Sequence, residues 1–98
     1  MTDQSHSFLT DAYRAAIANT RRVTVRHIAR DVCAEAGHSF YAIMGESRKW
    51  DDVQVRDLVC YIARRNGLSF AGIGRALNRD HKTIIQAVAR EKARRGEA

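Results

Sequence analysis

The stretch from Ser69 to Ile85 constrains the fold more tightly than any other part of this 98-residue chain. It reads as a short helix opened by Ser69 and carrying Phe70, Ile73 and Leu77, a three-residue corner, and a second helix. Gly72 and Gly74 inside the first helix cost about 1 kcal/mol each against Ala. Such a cost fits a place where a neighbouring helix comes close, as helix-turn-helix packing requires. Arg79, Asp80, His81, Lys82 and Thr83 crowd the start of the second helix. A donor-rich, mixed-charge cluster is hard to justify as packing. In a helix-turn-helix protein that position presents side chains to base edges in the major groove.

The rest of the chain is helical by the same reading. Proline is absent and alternating runs are short, which disfavours strands. Leu9, Ala12, Tyr13, Ala16 and Ile17 form one stripe of an amphipathic helix from about Asp3 to Asn19, interrupted by Arg21 and Arg22. Thr24 caps a second helix with Val25, Ile28, Ala29, Val32, Cys33 and Ala36 inward, and Gly37 supplies a left-handed stop. Ser39 opens a turn or two holding Phe40, Ile43 and Met44, closed by Gly45. Residues 46–50 form a polar connection with two exposed cations. Asp51 or Asp52 then caps a long helix with Val55, Leu58, Val59 and Ile62 inward, ended at Gly67. The last helix starts near Asp80 and buries Ile84, Ile85 and Val88. The expected fold class is all-α, a compact helical bundle with a helix-turn-helix.

The formal net charge is +6. Residues 1–49 carry seven Lys/Arg against five Asp/Glu, and residues 50–98 carry ten against six, so the excess accompanies the proposed reading motif. That distribution suits a protein facing phosphates, although solvated helix faces are often basic too. Cys33 and Cys60 are the only cysteines, lie in apolar-periodic stretches and lack metal-site spacing, so two buried free thiols in a reducing cytosol are expected. No apolar run approaches 18 residues and no signal-type start is present, so the expected location is cytoplasmic, on the nucleoid, without a membrane partner.

Individual residues carry two readings each. Asp80 serves as an N-cap, or accepts a hydrogen bond from cytosine N4. His81 suits purine N7 or a thymine methyl, and Lys82 suits guanine O6 and N7. Cations oppose the macrodipole at a helix N-terminus, so a bound anion explains them better than a solvated first turn. Thr83 and Ser69 offer hydroxyls beside helix-start amides, a phosphate-binding combination. Arg56 and Arg64, eight residues apart, project from nearly one side of the long helix, away from its apolar stripe, and are candidates for clamping the backbone. Arg48 lies in a polar connector of the kind that enters a minor groove. For these three, a plain surface arginine is the competing reading.

Catalysis finds little support. No G-x-x-x-x-G-K-[ST] phosphate loop exists, the four histidines show no zinc-ligand spacing, and Asp51-Asp52 is best read as a helix start. Neither cofactor, metal nor small-molecule substrate is expected, and the chain reads as a non-enzyme.

Arg79-Asp80-His81-Lys82-Thr83-Ile84 resembles the Arg-Asp-His-Thr-Thr-Val signature of the DNA-binding carboxy-terminal domain of the bacterial replication initiator, DnaA. The resemblance extends through Leu68-Ser69-Phe70, Ile73-Gly74, Arg56 and Gly45-Glu46-Ser47-Arg48, covering about residues 25–92. It implies a Trp repressor-like helix-turn-helix domain over residues 23–95; the stripe from Leu9 to Ile17 sets a helical extension over residues 1–22 before it. It further implies that Arg48 enters the minor groove and that Asp80, His81 and Lys82 face bases. Arg56, Arg64, Ser69 and Thr83 would contact phosphates, with Arg79 beside them. Lys82 stands in place of a threonine, Asp57 in place of the usual glutamine, and the corner before Asn78 is one residue shorter. The initiator's ATPase engine has no counterpart in this sequence.

The leading expectation is a sequence-specific double-stranded DNA-binding module of a transcription regulator, of bacterial or phage type. A modulator of replication initiation, binding initiator boxes at an origin, is the alternative within DNA binding. A protein-interaction adaptor, docking through the first helix, is the alternative of another class. RNA polymerase or replication proteins would be the protein partners of the first two.

Overall fold

The computed structural model describes residues 24–97, so the expected extension over residues 1–22 lies outside the described residues. Five helices follow in order: α1 (Val25–Ala36), α2 (Phe40–Met44), α3 (Trp50–Arg65), α4 (Phe70–Leu77) and α5 (His81–Arg94). Among the described residues there is no strand.

The boundaries follow from side-chain caps. Thr24, Ser39, Ser69 and Asp80 have extended backbones, and each side-chain oxygen accepts a backbone N–H from the first turn of α1, α2, α4 and α5 respectively. α1 ends at Gly37, whose φ of 69° is the left-handed conformation that glycine adopts without penalty. α3 departs from the sequence expectation. It begins at Trp50, with Lys49 making no side-chain cap bond, and Asp52 is turned inward. Ser47 Oγ donates to Asp52 Oδ2 at 2.6 Å, and His38 Nδ1 lies 3.2 Å from Oδ1. Asp52 thus ties the α1–α2 corner to the α2–α3 loop rather than capping the helix.

α3 is the axis of the bundle, with α1 and α5 packed along it and α2 and α4 closing the ends. Its residues from Val55 to Ala63 are all buried. That run includes Arg56, which the periodicity assigns to a solvent face, and Asp57 beside it. The core is aliphatic: Ile28, Val32, Ile43, Leu58, Val59, Ile62, Ile73, Leu77, Ile84 and Val88 are all buried in one cluster. Cys33 and Cys60 are buried free thiols within it, as expected. Burial pushes their pKa values up, to about 11 for Cys33, with Asp52 adding to the rise, and about 12 for Cys60. Ile85 departs from its expected burial and is 42% exposed. Adjacent residues on a helix point about 100° apart. With Ile84 and Val88 on the core, Ile85 is carried round to solvent.

α5 is fastened to α3 by charge as well as by packing. Asp57, buried in α3, accepts from Arg90 Nε and Nη2 at 2.9 Å each and from Arg94 Nη2 at 2.8 Å. Arg94 Nη1 also donates to buried Glu91, which accepts from Arg95 Nε at 3.0 Å. The Asp57 carboxylate raises the pKa of Arg90, chiefly by hydrogen bonding. Tyr61 Oη donates to Glu97 at 2.6 Å, securing the end of the chain against α3.

Candidate nucleic-acid interface

The corner between α4 and α5 is built by Asn78. Its φ of 56° is left-handed, a conformation that asparagine tolerates better than most residues. Arg79 N then donates to Gly74 O at 2.8 Å, closing the end of α4. The approach is so close that a Cβ on Gly74 would stand 2.5 Å from Arg79 O and 3.5 Å from His81 N. Gly74 therefore fulfils the expectation of close approach. Gly72 does not, since a Cβ there would meet only side chains, Ser69 Oγ at 3.1 Å and Arg75 Nη2 at 3.8 Å.

Beyond the corner, Asp80 Oδ1 accepts from Lys82 N at 3.1 Å and lies 3.1 Å from His81 Nδ1. The carboxylate is engaged as a cap, yet it remains well exposed. Capping and outward presentation coexist at this residue. His81, Lys82 and Thr83 are exposed on the first turn of α5, and Lys82 has no side-chain partner among the described residues. Arg75, exposed in the last turn of α4, shares a shallow concavity with Asp80 and His81. It was not singled out in the sequence, where its signal is only a cation four residues before Arg79.

A larger cleft of about 530 Å³ separates the α2–α3 loop from this corner. Its lining includes Glu46, Arg48 and Ser47 from the loop, Arg56 and Asp57 from α3, and Arg79, Thr83 and Arg90 from the motif. Four arginines face two carboxylates, and one of those, Asp57, is already held by Arg90 and Arg94. The cleft therefore carries excess positive charge at the side where Arg48 and Thr83 are exposed. Arg90 is a contributor that sequence reasoning missed. It stands 33 residues from its Asp57 partner, and no local pattern reports that pairing.

The expected clamp residues separate into two groups. Arg56 and Arg64 do not share a face. Arg56 is 7% exposed, and its Nε donates to Ile43 O at 2.8 Å. Its Nη2 donates to Ala42 O at 3.1 Å and Gly45 O at 3.3 Å. Burial lowers its pKa, with the Arg79 charge adding to the effect. The expectation of a solvent-facing Arg56 is corrected: it holds the end of α2 and the following loop. Arg79 is half-buried and similar in use, with Nη1 donating to Leu77 O at 2.9 Å and Nη2 donating to Gly45 O. Arg64 is exposed at the far end of α3. Its guanidinium sits 4.5 Å from the Phe70 ring centroid and donates to Leu68 O at 3.3 Å. Ser69 is exposed, with its hydroxyl accepting from Gly72 N at 3.0 Å. Arg48 is exposed and has no partner among the described residues.

Among the described residues no group of three His, Cys, Asp or Glu side chains is placed to hold a metal ion. No described helix is long and apolar enough to cross a membrane.

Comparison with known proteins supplies the family. Residues 25–90 match the model of the bacterial DnaA protein helix-turn-helix. Over 87 residues the chain is 32% identical to the chromosomal replication initiator protein DnaA 1 of Chlamydia pneumoniae. That alignment covers 88% of this chain and 18% of the relative, so the chain spans under a fifth of that protein's length. No solved structure matches. With the capped α4–α5 corner, the exposed Asp80-His81-Lys82-Thr83 tip and the arginine-lined cleft, these matches establish that the chain belongs to the bacterial DnaA helix-turn-helix family, a family of DNA-binding domains.

Proposed function

We propose that the chain is a sequence-specific double-stranded DNA-binding module acting in transcription regulation. The observation that carries this reading is the joint exposure of His81, Lys82 and Thr83 on the first turn of α5, with Thr83 lining the cleft that exposed Arg48 also lines. Base readout falls to Asp80, His81 and Lys82 in the major groove and to Arg48 in the minor groove. Phosphate contacts fall to Thr83, Ser69 and Arg64 through hydroxyl, helix-start amide and guanidinium groups. Arg56 and Arg79 add positive potential and hold the loop beneath Arg48, because their donors are engaged on backbone carbonyls.

Fluorescence anisotropy with a labelled duplex selected from a random pool tests this directly. With about five phosphates engaged, log K falls with log salt at a slope of roughly −4.5. Lys82→Ala relaxes preference at one or two base pairs and costs about 1–3 kcal/mol on the best site. Uniform loss across all sequences from Lys82→Ala would refute the assignment of readout to this tip.

A second reading is favoured by the relationship to a chromosomal replication initiator: occupation of initiator boxes as a modulator of replication. It requires that an initiator-box duplex compete for the chain as well as its best selected site. A box that competes no better than scrambled DNA leaves the transcription reading alone.

A further inference from the structure

Trp50 is the chain's single tryptophan and opens α3 with its side chain largely in water, at 69% exposed. Isolated exposed apolar residues are ordinary on protein surfaces. Trp50 differs by its surroundings. It directly follows Arg48 and Lys49, two exposed cations. It also shares one side of α3 with Val53, Asp57 and Cys60, at spacings of three, seven and ten residues, which place side chains on a common helical stripe. Val53, Asp57 and Cys60 all line the arginine-rich cleft. Trp50 therefore continues the cleft-facing stripe outward, past the end of the cleft, beside the arginine on its rim. An exposed aromatic ring next to two exposed cations, of which Arg48 has no partner among the described residues, matches an anionic polymer with apolar surface between its charges. A DNA groove, with phosphates on its edges and sugars on its walls, has that chemistry.

On the strength of the DNA-binding reading above, we propose that Trp50 is part of the DNA interface and packs its indole against the minor-groove wall beside Arg48. The ring supplies rigid contact area with few rotatable bonds to immobilise, and it broadens the interface beyond the two read-out elements. A neighbouring protein would engage the same ring without regard to DNA, and the test separates the two.

The full chain needs no label, since its single indole reports on this one position. It is titrated with the selected duplex and with a scrambled duplex, following anisotropy of labelled DNA and acrylamide quenching of tryptophan emission together. The expected result is a shift of emission and a several-fold fall in quenching that saturates with the anisotropy. Trp50→Phe keeps most of the affinity and Trp50→Ala weakens binding about tenfold, in line with loss of one aromatic contact. Circular dichroism melts of both variants match the parent, because the ring contributes little to the core. Saturating anisotropy with undiminished acrylamide access, or full affinity in Trp50→Ala, overturns this inference and leaves the function reading standing. Absence of salt-dependent binding to any duplex overturns both.

Discussion

Replacing Asp57 by asparagine keeps the shape of the side chain and removes the charge that fastens α5 to α3. The carboxylate is 1% exposed and accepts three hydrogen bonds between 2.8 and 2.9 Å from two guanidinium groups. Hydrogen bonds to charged groups contribute about 1.5–3 kcal/mol each, and breaking a fully buried pair costs about 3–5 kcal/mol. Here the cations are only partly covered, with Arg90 47% and Arg94 26% exposed, so water recovers much of their solvation. The amide oxygen also still accepts. A loss of about 2–3 kcal/mol follows, above the 0–1 kcal/mol of an exposed pair. For a domain of this size each kcal/mol moves the melting temperature by about 4–8 °C, so Asp57→Asn melts about 10–20 °C lower. Urea unfolding followed by circular dichroism measures it, with a shifted midpoint and an unchanged slope. Arg90→Gln alone and in combination completes a cycle whose coupling is about 1 kcal/mol or more. A loss under about 0.5 kcal/mol, or strict additivity in the cycle, refutes the idea that this carboxylate anchors the recognition helix.

Gly74→Ala gains about 1 kcal/mol of helix propensity but drives a Cβ into the Arg79 carbonyl, an overpacking cost of about 1–3 kcal/mol. It destabilises the domain and displaces the start of α5, whereas Gly72→Ala meets only side chains and is neutral or stabilising. Equal effects in paired melts would argue against the tight corner. Asp52 has its pKa lowered, first by the Ser47 hydroxyl and then by His38, against the opposing effect of burial. The native state therefore binds that proton less readily than the unfolded chain. Its stabilisation is whole above the unfolded value near 4 and is lost as pH falls through the lower folded value. Ser47→Ala flattens the acid limb of a stability–pH curve; an unchanged limb counts against this attribution. Cys33 and Cys60 have their folded pKa values raised to about 11 and about 12. Their contribution is complete below the unfolded value near 8.5 and declines as pH rises through the folded values. At pH 8 both thiols react with an aromatic disulfide reagent only as fast as the domain opens; rapid labelling of the native protein would show them to be accessible.

The caps and the motif were legible because they are local. Thr24, Ser39, Ser69 and Asp80 each bond an amide two or three residues ahead, a relation visible in any sequence. The Gly74 contact was legible for the same reason, with its obstacle five residues away. What failed was long-range. Arg56 was assigned to solvent because a polar face normally marks the outside of a helix, and nothing in the local pattern reported the burial of Asp57. α3 is surrounded by neighbours, so its polar face is buried and must find partners. Arg56 finds backbone carbonyls 11 to 14 residues away, and Asp57 finds cations 33 and 37 residues away. Ile85 failed because two adjacent isoleucines cannot both face one core. The spacing does not say which yields.

Gly45 O accepts from both Arg56 and Arg79, so one peptide oxygen bolts the loop carrying Arg48 to the turn carrying the recognition helix. Two probes of a duplex mounted on a common bolt work like the jaws of a caliper locked at one opening. On the DNA reading, the number of base pairs between the two read-out patches is dictated by the protein, and an operator lengthened by one pair loses a patch instead of stretching the reader. On that reading the domain would measure a distance along DNA as well as read letters.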